Sequence, residues 1–434
     1  MVEDSASTAS KSRLAPAIGL VVAMWIAYFL NYCDRQAVFS MYPALRRDLG
    51  MNDQQLGMTG AIFLWVYGIG SLVAGWAADR WCRRRMVVGS LAIWSLVTLA
   101  TGAAASGTML LGLRGLMGIS EALFMPAAIA MTASAVPAKY RSRAIASLTT
   151  AQIVGSVAGS WFGGWMTEQG QWRLAFYVMG LAGLLYAIPY HLVLGRAPTP
   201  TDPTEKKTSW SLASFQQLLS TRIYCMLCII FPIFVFGLWM LYGWTPSFLQ
   251  QKFQLSTAKA AWEASFWMQA ATLIGLFSGG WIADRLAQVT PQGRFWVLLA
   301  SLLLCAPCLH GIGSSETLTA TKMHLAGFGL FSGLLAGNIF PAAFEVVSAE
   351  NRALAVGLLN FFGALLSGFA PWSVGLYKQT LGIPRLLDLA ALAYLLAAAL
   401  ILWTMLRRTP LTTEAPSRAR SKASGRTHQS HQKA

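Results

Sequence analysis

Charged residues are scarce in this chain: 12% of its 434 residues are Asp, Glu, Lys or Arg, where soluble domains carry roughly a quarter. With 55% hydrophobic residues and a mean hydropathy of +0.51, that scarcity excludes a soluble globular fold. Cysteine and histidine are sparse too, at six and five residues, which leaves little material for a metal site. Two cysteine pairs have C-x-x-C spacing, Cys225/Cys228 and Cys305/Cys308. Both fall in apolar runs without a His or acidic neighbour, so they read as small core residues. No A-x-A cleavage signal follows the first apolar run, which continues through charged residues. It reads as an uncleaved first span.

What the sequence does contain is a series of apolar runs between Ala15 and Leu406, each near the ~20 residues that cross a hydrocarbon core. We count twelve, starting near residues 16, 53, 86, 108, 144, 174, 223, 260, 295, 320, 353 and 385. The expected fold class is an all-α membrane protein. An even number of spans puts both termini on one side. Loops on that side, with the tails, hold 23 of the 33 basic residues; the other side holds 8. The basic side is expected to be cytoplasmic, in the cell inner membrane. Dispersal among loops also accounts for the net charge of +16 without a nucleic-acid-binding face. Expected partners are the lipid bilayer and a small molecule, with no nucleic acid and a monomeric chain.

The chain repeats itself. GWAADR at 75–80 returns as GWIADR at 280–285, Pro126-Ala127-Ala128 returns as Pro341-Ala342-Ala343, and the Arg141 loop is matched at Arg352. These offsets of 205, 215 and 211 residues imply a duplicated half-chain. The expected organisation is a cytoplasmic tail at 1–15, a six-helix bundle at 16–195, a cytoplasmic linker at 196–222, a second bundle at 223–406 and a disordered basic tail at 407–434. The stretch GRAPTPTDPTEKKTS, residues 195–209, marks the linker by its Pro, Thr and charge. Two such halves describe a secondary transporter with a midplane site and alternating access.

Gly75-Trp-Ala-Ala-Asp79-Arg80-Trp-Cys-Arg83-Arg84-Arg85 resembles the G-x-x-x-D-R-x-G-R-R signature of the major facilitator superfamily, with Cys82 where the second glycine usually stands. The resemblance spans about residues 15–407 and implies the major facilitator fold of two pseudo-symmetric six-helix halves. Asp79 is expected near a helix terminus beside Arg80, Arg83 and Arg141, forming charge-assisted hydrogen bonds. In the superfamily such a cluster, with Gly75 and Arg84, latches the outward-open state; the plainer role of these arginines is to fix topology. The second copy has Asp284 and Arg285 but no basic triplet, so a weaker latch is expected there.

Four ionisable residues lie deep in the first half: Asp34 and Arg35 in NYCDRQAV, Arg114 and Glu121 in LRGLMGISEALFMP. Arg114 and Glu121 are seven residues apart, on one helix face and ~10 Å apart along its axis. Intramembrane ionisable groups default to function. The alternative is a static salt bridge between spans one and four. The second half has nothing comparable at depth, with Glu345 near one face and Glu263 and Asp388 near the other.

NY-x-DR with RG-x-x-G-x-x-EA is similar to the anion:cation symporter family, which includes sugar-acid permeases and sialin-type carriers. That resemblance implies proton-coupled symport of a small organic anion. It implies Asp34 and Glu121 as protonation sites, Arg114 as the charge that tunes Glu121, and Arg35 as the cation meeting a substrate carboxylate. Tyr32, Tyr67, Gln152 and Asn360 match positions that face sugar hydroxyls, although Gln152 and Asn360 are also suited to bonds between helices. No cofactor is expected; the coupling ion is a proton, with Na+ as the alternative.

Spinster-type lysolipid transporters resemble the chain in the same places and in WTPSFLQ, Trp244 to Gln250. There Trp239, Trp244, Trp262 and Trp267 would line a tall cavity wall, against a simpler role as interfacial anchors. Gly155, Gly159 and Gly163 give one helix a small-residue face. Ser160 stands where drug antiporters of the superfamily have proline. A third alternative, a transporter-like sensor, finds no output domain in the tail beyond Arg407. The chain is expected to be no enzyme.

Overall fold

The computed structural model describes residues 2–78, 81–196 and 212–407, and among these residues it is helical throughout with no strand. The first half contains α1 (Val2–Ser40), α2 (Tyr42–Leu49), α3 (Asp53–Ala78), α4 (Arg83–Gly102), α5 (Gly107–Ala122), α6 (Phe124–Ala135), α7 (Ala138–Glu168) and α8 (Trp172–Arg196). After α9 (Leu212–Ser220), the second half contains α10 (Arg222–Phe253), α11 (Thr257–Val289), α12 (Gly293–Ser314), α13 (Leu318–Val346) and α14 (Arg352–Leu406). The backbone of the expected N-terminal tail continues α1 as helix, and part of the expected linker forms α9. Linker residues 197–211 and tail residues 408–434 lie outside the described residues.

Nine stretches among the described residues are long and apolar enough to cross a membrane. Helix α14, at 55 residues, would be roughly 80 Å long if straight, far more than a ~30 Å hydrocarbon core. It is two crossings joined at Gly382, whose φ of 77° and ψ of 152° no helix holds, with Pro384 just beyond. Helices α7 and α11, with 31 and 33 residues, are long enough but too rich in small and polar residues to pass on composition. They complete twelve crossings, six in each half.

The composition of α7 follows from what it touches. Gly155, Gly159 and Gly163 face α1: a Cβ on Gly155 would lie 2.5 Å from the Phe29 carbonyl oxygen, one on Gly163 2.6 Å from that of Ala37, and one on Gly159 would strike the Cys33 backbone. Small residues let these backbones approach where lipid offers no hydrophobic drive. The same seam fixes the height and rotation of α1, and with them the positions of Asp34 and Arg35. Seams between α3 and α14, and between α7 and α11, join the halves.

Span four is expected as one helix; it is a single crossing in which one turn residue, Leu123, two positions after Glu121, separates α5 from α6. Pro126 has no N–H for the Ala122 carbonyl and its ring crowds that turn, so the helix loosens there.

Candidate functional site

The buried charges converge on α1. Arg35 and Glu121 form an ion pair, with Arg35 Nη2 donating to Glu121 Oε2 at 2.6 Å and Nε to the same oxygen at 3.2 Å. Both side chains are sealed from solvent. The guanidinium lies among aromatic faces, 4.6 Å from the Tyr32 centroid, 4.7 Å from Phe63 and 5.0 Å from Tyr67. It also donates to the Tyr32 hydroxyl and to Asn31 Oδ1, each at 3.4 Å. Arginine suits such a site because its planar, weakly hydrated cation stacks and bonds at once.

Arg114 is bonded mainly to backbone carbonyls. Its Nε donates to the Thr59 carbonyl at 3.2 Å, its Nη2 to the Arg35 carbonyl at 3.5 Å, and its Nη1 points to Met117 Sδ at 3.3 Å. It makes no ion pair with Glu121. The ~10 Å between their positions along α5 leaves Glu121 to the arginine that arrives from α1 at its own level. Any influence of Arg114 on Glu121 is at a distance, and Arg35 holds the contact.

Asp34 is 2% exposed and has no cation within bonding distance. Its partner is Thr98 of α4, whose Oγ1 lies 3.0 Å from Asp34 Oδ2. Asp34 Oδ1, Glu121 Oε1, Asn31 Nδ2 and Gln36 Nε2 are all buried without a partner. Such groups are costly, and a cluster of them marks a place where something binds or moves.

Tyr32 and Tyr67 thus assemble around Arg35. Gln152 of α7 accepts from the Tyr28 hydroxyl at 3.4 Å, and the Tyr28 ring meets Tyr32 edge-on at 5.0 Å. Asn360 of α14 is half-buried, and its side chain makes no hydrogen bond among the described residues. The sequence did not single out Tyr242 and Gln269, which supply polar groups from the second half. Gln269 Nε2 donates to the Tyr242 hydroxyl at 3.0 Å, within electrostatic reach of Tyr32. Trp239 and Trp244 are buried near the junction of the halves and are not interfacial anchors: Trp239 meets Phe39 of α1 at 6.1 Å, and Trp244 donates to the Pro371 carbonyl at 2.8 Å. Trp262 and Trp267 are exposed.

On the basic face, Asp79 and Arg80 lie outside the described residues, as do the surroundings of Gly75. Arg84 donates to the His191 carbonyl at 2.9 Å and ties α4 to the last turns of α8, where a cation complements the helix dipole. Arg83 is half-buried, whereas Arg141 is exposed and has no ion pair among the described residues. The second-half copy is better built than expected. Arg294 reaches Glu345 Oε1 at 2.6 Å, Asp284 Oδ1 at 2.5 Å and Asn338 Oδ1 at 3.1 Å, so a base from the next helix replaces the missing triplet.

On the opposite face the halves are latched. Asp53, in the first turn of α3, accepts from Arg46 and, at 2.7 Å, from Lys378 of α14; its other oxygen accepts from Gln379 at 2.7 Å. Lys378 also lies 4.2 Å over the Trp244 ring. Glu168 at the end of α7 accepts from the Ala258 N–H at 3.2 Å. Between described residues, the hydrogen bonds that cross the halves lie at mid-height, as from Trp65 to the Leu365 carbonyl at 3.0 Å, or toward this face. The molecule is closed there.

The profile of the Major Facilitator Superfamily matches residues 24–371. The chain belongs to that superfamily. It is 27% identical over 394 residues to the probable galactarate/D-glucarate transporter GudP of Bacillus subtilis (strain 168), across 84% of this chain and 86% of the relative. It is 28% identical over 390 residues to an MFS-type efflux pump of Mycolicibacterium smegmatis, across 86% and 89%. A solved bacterial homolog to the human lysosomal transporter Spinster, inward-facing and unoccupied, matches with a TM-score of 0.78 at 20% identity, over 89% of this chain and 96% of that one. That likeness is one of fold. As a superfamily member the chain is an integral membrane transporter and not an enzyme.

Proposed function

We propose that this facilitator carries a small organic anion, a sugar acid or related carboxylate, inward with protons by alternating access. It would do so as a monomer in the cell inner membrane, with its basic face and both termini cytoplasmic. The observation that carries this reading is the burial of two arginines and two carboxylates, Arg35, Arg114, Asp34 and Glu121, in one protein core. With both carboxylates ionised the group is neutral. One added proton leaves a net positive charge in a medium where charge is expensive, and a bound anion removes it. Proton and anion therefore favour each other, as symport requires.

Arg35 supplies the second part of the argument. Its fork is occupied by Glu121, so a substrate carboxylate must displace that residue, and Glu121 leaves more readily once protonated. Tyr32, Tyr67, Gln152, Asn360, Tyr242 and Gln269 would then orient hydroxyl groups. Closure on the opposite face, with the basic face taken as cytoplasmic, makes this the inward-facing state. Gly75, Asp79, Arg80, Arg83, Arg84 and Arg141 would form the cytoplasmic gate. The likeness to GudP supports the substrate class.

The test is uptake by liposome-reconstituted protein of a panel of sugar acids, dicarboxylates and lysolipids, with and without an imposed pH gradient. Concentrative uptake of a sugar acid only with the gradient is expected. Lysolipid transport alone would overturn the reading in favour of a Spinster-like carrier, and ligand binding without flux would favour a sensor.

A further inference from the structure

We infer that Thr98 of α4 is the positioning residue for the proton on Asp34, acting as a hydroxyl that reverses its hydrogen bond when that carboxyl gains or loses its proton. The inference rests on the reading of Asp34 as a proton site and assigns the group that governs it.

Thr98 Oγ1 lies 3.0 Å from Asp34 Oδ2 and 2.9 Å from the Trp94 carbonyl oxygen, and Thr98 is fully buried. Both neighbours are acceptors when Asp34 is ionised, yet the hydroxyl has one hydrogen to give. If Asp34 carries a proton, its O–H donates to Thr98 Oγ1 and the threonine hydrogen goes to the Trp94 carbonyl, so every short contact is a hydrogen bond. When that proton departs, the threonine hydrogen turns to Asp34 Oδ2. The Trp94 carbonyl loses little, because the helix still gives it the Thr98 N–H. One side chain thus serves both charge states without moving its oxygen.

No other bonding partner competes for the role. The charged groups that face Asp34 are Glu121 and Arg114 of α5, with Cys33 beside it on α1, and none is within hydrogen-bonding distance. Helix α6 has no ionisable residue, and α4, α7 and α8 carry their charged residues toward their ends: Arg83 to Arg85 on α4, Lys139 to Arg143 and Glu168 on α7, Arg173, His191 and Arg196 on α8. The same holds for α10 with Arg222 and Lys252, and for α11 with Lys259, Glu263, Asp284 and Arg285. Asp34 Oδ1 has no partner at all. The hydrogen bond to an ionised carboxylate is about twice as strong as one between neutral groups. Removing the hydroxyl therefore penalises ionised Asp34 more than neutral Asp34.

Infrared difference spectroscopy of the purified protein, titrated with pH and without substrate, reads this directly. The carboxylic C=O band that disappears in Asp34→Asn belongs to Asp34. In Thr98→Val that band is expected at higher frequency, with its titration midpoint raised by about one pH unit, a tenfold change in proton affinity. Thr98→Ser is expected to restore both, and Thr98→Ala repeats the test if the valine variant does not fold. An Asp34 band with unchanged frequency and midpoint in Thr98→Val and Thr98→Ala overturns the role of Thr98 while leaving Asp34 as a proton site. Absence of any band lost in Asp34→Asn overturns the reading of Asp34 itself.

Discussion

The two halves share a fold and differ in where they keep charge. The first half buries Arg35, Arg114, Asp34 and Glu121 at mid-height, whereas the second presents Tyr242, Gln269 and Asn360 there and moves its charges outward. Its ion pairs stand toward the helix ends: Arg294 with Asp284 and Glu345 on the basic face, Lys322 with Glu263 toward the other. A duplicated scaffold has thus kept its packing while its ionisable groups concentrated in one copy. Under the proposed symport, one protonatable half would carry the coupling, and the other would serve as a neutral wall and a set of gates.

The strongest way to break this comparison is to weaken the first half at Arg35. Arg35→Lys replaces the fork on Glu121 by a point charge, and hydrogen bonds to charged groups are worth roughly 1.5–3 kcal/mol each. Apparent affinity for the anion is expected to fall at least about tenfold, read as a raised KM for uptake. The matching change in the neutral wall, Gln269→Leu, is expected to alter KM by only a few fold and to leave the pH dependence of uptake in place. Equal pH effects in the two variants would erase the distinction between the halves.

An intermediate effect is expected at the latch. Asp53→Asn removes the charge that Arg46, Lys378 and Gln379 share. A shift of about tenfold toward the outward-open state is expected from the loss of one charged bond. It is measurable as faster amide hydrogen exchange around Asp53 and around Lys378 to Gly382. The smallest effect belongs to Asp48 in α2, outside the spans, where hydrogen bonds from Arg47 and then Trp172 hold its carboxyl below the usual range. A lowered value stabilises the fold above the unfolded pKa of about 3.9, and that contribution is lost as pH falls through the folded value. Asp48→Asn is expected to cost less than about 1 kcal/mol near neutral pH and nothing in strong acid, by thermal unfolding.

The architecture was legible because lipid imposes it: runs of apolar residues near 20 in length, basic loops, and GWAADR echoed by GWIADR leave few alternatives. The buried charges were legible for the same reason, since Asp34, Arg35, Arg114 and Glu121 stand out in an apolar context. Their pairing was legible only as an alternative. Helical spacing put Glu121 and Arg114 on one face, and a salt bridge between spans one and four stood beside that reading; which contact forms is decided by how Gly155, Gly159 and Gly163 seat α1, which is a tertiary fact. Thr98 gave no signal, because a lone hydroxyl in an apolar helix usually bonds its own backbone. Asp53 and Lys378 look like ordinary end-of-helix charges until the fold brings α3 and α14 together. Arg294 was hidden because the second latch borrows its base from α12 instead of repeating the triplet.

In the proposed symport, the first half would couple anion movement to protons through Glu121. Accumulation of a transported sugar acid by proteoliposomes under an imposed pH gradient, compared with exchange across equal pH, tests it most directly in Glu121→Gln. Accumulation is expected to be abolished while exchange remains measurable. A Glu121→Gln protein that still concentrates substrate against its gradient would contradict that coupling.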